Sequence, residues 1–87
     1  MNHLSTNLKR MRTHQGITQA EAARRLGVPR SSYSSWESGA VEPSIDTMLA
    51  CCTMYRMGVS IMLTKDLAPL TKDDINKLVK PGERTSG

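Results

Sequence analysis

Phenylalanine is missing from this chain, and aromatic residues of any kind are scarce, with one Trp and two Tyr among 87 residues. A core built around stacked rings is therefore excluded, and Leu, Met, Ala, Val and Ile must form most of the interior. Long apolar runs are missing too. None approaches the roughly 18 residues of a membrane span, and the opening MNHLSTNLKR lacks the apolar stretch of a secretory signal. The expectation is a cytoplasmic protein with no membrane partner. Cysteine is limited to the adjacent pair Cys51 and Cys52. Neighbours on a helix diverge by about 100°, so a strained vicinal disulfide is disfavoured. Zinc needs spaced ligands, and His3 and His14 lie far away in sequence. The two thiols read as small buried hydrophobes, and no metal or other cofactor is expected. No histidine, carboxylate pair or nucleophile stands in a recognisable catalytic arrangement, which argues against an enzyme. The length allows one small domain.

What is present is unevenly placed. Residues 1–40 carry six basic side chains (Lys9, Arg10, Arg12, Arg24, Arg25 and Arg30) against Glu21 and Glu37, whereas residues 41–87 carry six of each sign. The whole net charge of +4 thus sits in the first half, which suits a polyanionic partner. The same half contains PRSSYSSWESG, with five serines in eleven positions from Pro29 to Gly39. Serine hydroxyls compete for backbone hydrogen bonds and are poor helix-interior residues. Yet Tyr33 and Trp36, three apart, present one apolar face as a short helix would.

Helical periodicity runs through the rest, and no convincing strand appears. A first helix from about Ser5 to His14 has Leu4, Leu8 and Met11 on one stripe, with Gly16 placed for a left-handed C-terminal cap. Thr18 and Glu21 have capping-box spacing and open a second helix that stops at Gly27. Pro29 favours the start of a third, over 29/30–38 and closed by Gly39. Ser44 caps a fourth over about 45–56, with Met48, Cys51, Cys52 and Tyr55 at helical spacing; a short fifth follows near 59–64. Thr71 with Asp74 opens a last helix over about 72–79, with Ile75, Leu78 and Val79 on one side, before the tail PGERTSG. The chain therefore divides into a compact all-α unit of five helices over 1–66 and a C-terminal extension over 67–87. The tail has the composition of a frayed end.

Two short helices joined by a glycine-bearing turn are a helix-turn-helix signature. Ala23 supplies the small residue needed where the second and third helices approach. Gly27 relaxes the turn, and Ala22, Leu26, Val28, Tyr33 and Trp36 occupy positions expected to be buried. The stretch over roughly residues 4–64 resembles the lambdoid repressor and Cro-like, XRE-type helix-turn-helix domain. Its marks are the Leu8–Arg12 start, GITQAEAA, LGV, the WESG ending of the third helix, the EPS after it and a terminal ML.

The resemblance implies an all-α repressor-like fold whose third helix enters the major groove of double-stranded DNA while the second lies across the backbone. On a helical wheel Ser31, Ser34, Ser35 and Ser38 point away from Tyr33 and Trp36, so the hydroxyls become the groove-facing side. Arg30 is the candidate for reading a guanine through O6 and N7, with Ser31, Ser34 and Ser35 adding weaker readout. Thr18 and Gln19, at a helix N-terminus, and Ser38 with Gly39, in the family's loop position, are candidate phosphate contacts. Lys9, Arg10, Arg24 and Arg25 supply diffuse attraction. Arg12 and Glu37 align with the family's structural ion pair. Departures are Pro29 in place of a hydroxyl cap, Ala40 in place of a basic residue, and a shortened apolar signal at Arg56 and Gly58. A single helix reads few base pairs, so a homodimer on two half-sites is expected, joined through the fifth helix with Ile75, Leu78 and Val79 unless that segment folds back on the core. The expected role is a transcriptional regulator, most simply a repressor. The alternatives are an antitoxin or controller protein acting on its own promoter, or a protein–protein module without DNA binding.

Overall fold

The computed structural model describes residues 3–80, and among them every regular element is helical. In chain order these are α1 (Leu4–Gln15), α2 (Gln19–Leu26), α3 (Arg30–Ser38), α4 (Ile45–Tyr55), α5 (Val59–Thr64) and α6 (Lys72–Leu78). The residues from Pro81 onward, where the tail was expected, lie outside the described part.

Local chemistry sets the boundaries. Three helices end on glycine in the left-handed region, Gly16 at φ 70°, Gly27 at φ 73° and Gly39 at φ 81°, which lets each chain reversal occur without a Cβ clash. The Thr18 hydroxyl accepts the Glu21 amide at 3.0 Å, and Ser44 does the same for Thr47 at 3.2 Å. The reciprocal half of the box expected at Thr18 is not made. The Glu21 carboxylate turns to Arg24 and Arg25 instead, at 2.6 and 2.7 Å, because two guanidinium groups outcompete one backbone N–H. The complete box occurs at Thr71 and Asp74, where both hydrogen bonds form. Pro29 is the N-cap of α3 and offers no side-chain hydrogen bond. α4 stops one residue short of the expected end, because Arg56 adopts the left-handed conformation (φ 56°) and caps it.

The core is aliphatic and sulfur-rich. Leu8, Met11, Ala22, Tyr33, Cys51, Tyr55, Met62, Leu67 and Ile75 are all fully buried. Two tyrosines provide its bulk, and their hydroxyls satisfy one another at 2.6 Å. Both thiols are free and buried, and burial pushes the Cys51 thiol up to about 12. Leu67 and Ile75, beyond residue 66, belong to the same core as α1 to α5.

Asn7 explains much of that continuity. It lies on the α1 stripe between Leu4 and Met11, is fully buried, and uses both ends of its amide. Its Nδ2 donates to the carbonyls of Met62 (2.9 Å) and Lys65 (2.7 Å), and its Oδ1 accepts the Leu67 amide at 3.1 Å. One side chain thus satisfies the unpaired carbonyls at the end of α5 and fixes the next segment onto α1. The last helix folds back as well: Arg10 donates to the Leu70 carbonyl at 3.0 Å, and His14 Nε2 lies 3.0 Å from Asn76 Oδ1. Ile75 is consequently interior, and Leu78 and Val79 pack against the core. This removes Ile75 from the expected dimer surface.

Candidate nucleic-acid interface

α3 is held by its apolar side and left open on the other. Tyr33 is fully buried and meets Trp36 edge-to-face, with centroids 6.0 Å apart and planes at 72°. Ala22 and Ala23 are buried on α2, which packs directly against α3. Leu26 and Val28 are half-buried and pack against the core.

The polar contacts around α3 form a relay. Arg12 on α1 makes a two-pronged contact with Glu37 on α3, Nε to Oε2 at 2.7 Å and Nη2 to Oε1 at 3.2 Å. Its third donor reaches the Ile17 carbonyl at 2.9 Å, in the turn between α1 and α2. The Glu37 side chain is only 3% exposed. Burial alone raises its carboxyl pKa, but hydrogen bonds from Arg12 and Gln19 and the Arg12 charge win, holding it below the usual carboxylate range. Glu37 in turn holds Arg12 above its ordinary value.

Gln19 extends the relay outward. Its Nε2 donates to Glu37 Oε1 at 3.0 Å, and its Oε1 accepts from Arg30 Nη2 at 3.4 Å. The chain Arg12, Glu37, Gln19, Arg30 therefore links α1, the C-terminal turn of α3, the start of α2 and the start of α3. A groove of about 440 Å³ lined by Arg12, Thr18, Gln19, Ala20 and Arg30 lies over this chain. Sequence reasoning placed Gln19 at a phosphate and missed its role as a bridge. Nothing in the spacing of residues 19, 30 and 37 announces that one amide joins the other two.

The serines are less uniform than the wheel suggests. Ser31 is exposed, while Ser34 and Ser35 are half-buried. The Ser35 hydroxyl donates to the Ser32 carbonyl at 2.6 Å, and Ser38 donates to the Ser35 carbonyl at 3.1 Å while accepting the Ala40 amide at 3.3 Å. Both hydroxyl protons are thus spent within the helix, leaving their oxygens as acceptors. Gly39, with positive φ, stands against Ser5, whose Oγ would lie 3.6 Å from an added Cβ. Thr18 is exposed at the N-terminus of α2, with its hydroxyl already accepting Glu21 N–H. On the outer face of α2 the two arginine contacts hold the Glu21 carboxyl at about 2.

The helix-turn-helix family model matches residues 8–60, from within α1 to the start of α5. The chain belongs to the helix-turn-helix family. Within it the domain is of the XRE type, and α2 and α3 are the two helices that give the motif its name. Two relatives from Bacillus subtilis align with it. The HTH-type transcriptional regulator ImmR is 33% identical over 63 residues, covering 72% of this chain and 50% of that protein. The uncharacterized HTH-type transcriptional regulator YqaE is 32% identical over 59 residues, covering 68% of this chain and 51% of its own length. The helix-turn-helix chain thus spans about half the length of the curated relatives it matches. No solved structure matches it significantly. No helix among the described residues is long and apolar enough to cross a membrane.

Proposed function

We propose that this helix-turn-helix protein is a sequence-specific DNA-binding transcriptional regulator, a repressor that occupies a palindromic operator as a homodimer in the cytoplasm. DNA binding and transcriptional regulation are what the family and both relatives support. The observation that carries the finer reading is Arg30. It is exposed at the first position of α3 and touched by Gln19, on a helix whose opposite face is locked by Tyr33, Trp36 and the Arg12–Glu37 pair. A guanidinium delivered in this way suits a bidentate contact to guanine O6 and N7 in the major groove.

The other contacts follow from chemistry. Ser31 keeps a free hydroxyl for base edges, and Ser34 is a shallower contributor. Ser35, its proton spent on Ser32, reads as an acceptor toward an amino group or a bridging water. Thr18 and Gln19 bring backbone N–H groups and the positive end of α2 to a phosphate, with the Gln19 side chain reserved for holding Arg30. Ser38 and Gly39 meet the backbone across the groove. Phosphate contacts of this kind set affinity and salt dependence, and Arg30 with the serines sets sequence choice.

Selection of bound duplexes from a random pool tests the reading. The expected product is a palindrome whose half-sites lie about one DNA turn apart and contain a conserved G·C pair. A pool that shows no enrichment over its starting composition overturns it.

A further inference from the structure

A hollow of about 470 Å³ opens where α1, the end of α2, the cap of α4 and α6 come together. Three cations line it, Arg25, Arg56 and Lys72, and no carboxylate does. Little within the chain offsets them. Among the described residues the Arg56 and Lys72 side chains make no hydrogen bond or ion pair. Arg25 meets Glu21 through Nε alone, at 2.7 Å, and shares that carboxylate with Arg24.

Two further observations single the hollow out. One of its cations, Arg56, is a non-glycine residue with positive φ. Such a conformation persists only where the surroundings hold it, here through the cap of α4 and through the Arg56 carbonyl, which accepts the Lys80 amide at 2.7 Å. On the same wall His14 Nε2 is engaged by Asn76, while Nδ1 is buried without a hydrogen-bond partner among the described residues. Buried polar atoms left unpaired are rare in folded chains.

We propose that this hollow binds a small organic phosphate carrying at least two phosphoryl groups. Guanidinium and ammonium donors on three separate elements suit a ligand whose charge is spread over several oxygens. The half-buried side chains of Ile17 and Val79 offer a wall to its apolar part. The DNA backbone, the other source of phosphate, is disfavoured by position. On α1, His14 stands about 200° round from Arg12, and on α2, Arg25 stands about 140° from Ala20. Arg12 and Ala20 line the groove beside Arg30, and the two hollows share no residue. A phosphate bound here joins α2 to α6 and so ties the helix-turn-helix motif to the segment that follows it.

Titration of the full chain with sodium pyrophosphate, followed by amide chemical shifts against sodium chloride of matched ionic strength, tests the site. The expected result is saturable binding with a Kd below about 1 mM and the largest shifts at His14, Arg25, Arg56, Lys72 and Asn76. Arg56→Gly and Lys72→Gln are each expected to weaken it about tenfold. The first relieves the backbone and the second removes a cation from the first turn of α6, so neither should cost stability; thermal unfolding without ligand is the control. Lys77→Gln, which removes an exposed charge of α6 outside the hollow, is expected to leave binding unchanged. No saturation up to about 10 mM, largest shifts around Arg30, or an equal loss in Lys77→Gln overturns the site. So does displacement of pyrophosphate by a stoichiometric DNA duplex, which would assign the hollow to the DNA backbone. A chain that binds pyrophosphate and selects no DNA leaves the site standing and removes only the regulator reading.

Discussion

The two halves of the domain solve the same packing problem with different chemistry. Around α3, position is held by named polar contacts: Arg12 to Glu37, Glu37 to Gln19, Gln19 to Arg30. Around α4 and α5 it is held mainly by apolar volume from Cys51, Cys52, Tyr55, Met57 and Met62, with polar ties at the Tyr33–Tyr55 hydroxyls and at Asn7. Hydrophobic burial is strong but non-directional and tolerates small rotations. A two-pronged guanidinium–carboxylate contact fixes orientation. The difference teaches where angular accuracy matters. The helix proposed to dock into DNA is pinned, and the half that encloses the core is filled.

That contrast breaks most readily at Arg12. Arg12→Ala leaves Glu37 buried with its main partner gone and frees the Ile17 carbonyl, so a loss of about 3–5 kcal/mol in urea unfolding is expected. Glu37→Gln, which removes the charge but keeps the shape, is expected to cost less. The same pair predicts acid sensitivity. The Glu37 carboxyl titrates lower in the folded chain than in the unfolded one, so the unfolded state binds the proton more readily between the two values. This contribution is complete above the ordinary carboxylate range near pH 4.3 and disappears as pH falls through the folded value. Arg12→Ala should flatten that part of the stability–pH curve. A curve of unchanged slope would remove the pair from its orienting role.

The latch in the other half is expected to rank next. Asn7→Ala strands two carbonyls and one amide, for a loss of about 2–3 kcal/mol in thermal or denaturant unfolding. Hydrogen exchange should speed up first at Leu67, whose amide loses its Asn7 acceptor, while α6 keeps its ties through Arg10 and His14. A variant that exchanges uniformly across the chain contradicts the latch.

Arg30→Ala sharpens the contrast from the functional side. Stability is expected to stay unchanged, while binding weakens by about 1–3 kcal/mol at one base position of the selected operator. Equal weakening on every duplex would reassign Arg30 to the phosphates. The smallest effect is expected at Arg56, a non-glycine residue at φ 56°. Arg56→Gly relieves that conformation and should raise stability by about 0.5–1 kcal/mol, read as a small rise in Tm. No gain would mean that the arginine side chain contributes packing that offsets the strain.

Much of this was legible before any coordinates. Gly16, Gly27 and Gly39, the caps at Thr18, Ser44 and Thr71, and the Tyr33–Trp36 stripe each follow from a spacing of three or four residues. Helix boundaries are decided at that range. The errors at the ends were small and chemical: Arg24 and Arg25 drew Glu21 away from its cap, and Arg56 took a conformation usually left to glycine. For the candidate site, the positions of Arg30 and Ser31 at the exposed start of α3 follow from the helix boundaries alone. The bond through Gln19, the spent protons of Ser35 and Ser38 and the exposure of Ile45 do not, because each depends on where a second element lies.

Sequence alone determined that the chain is helical, where its helices begin and end, and which side of α3 is apolar, because those are properties of neighbouring residues. Tertiary structure decided what a polar side chain is for. Asn7 gives no local sign of a structural role, and Gln19 reads only as a phosphate contact, until residues distant in sequence arrive within hydrogen-bond distance. Ile45 looks like one more core residue until folding leaves it outside. Burial and hydrogen-bond partnership belong to pairs of elements, and no local pattern records them.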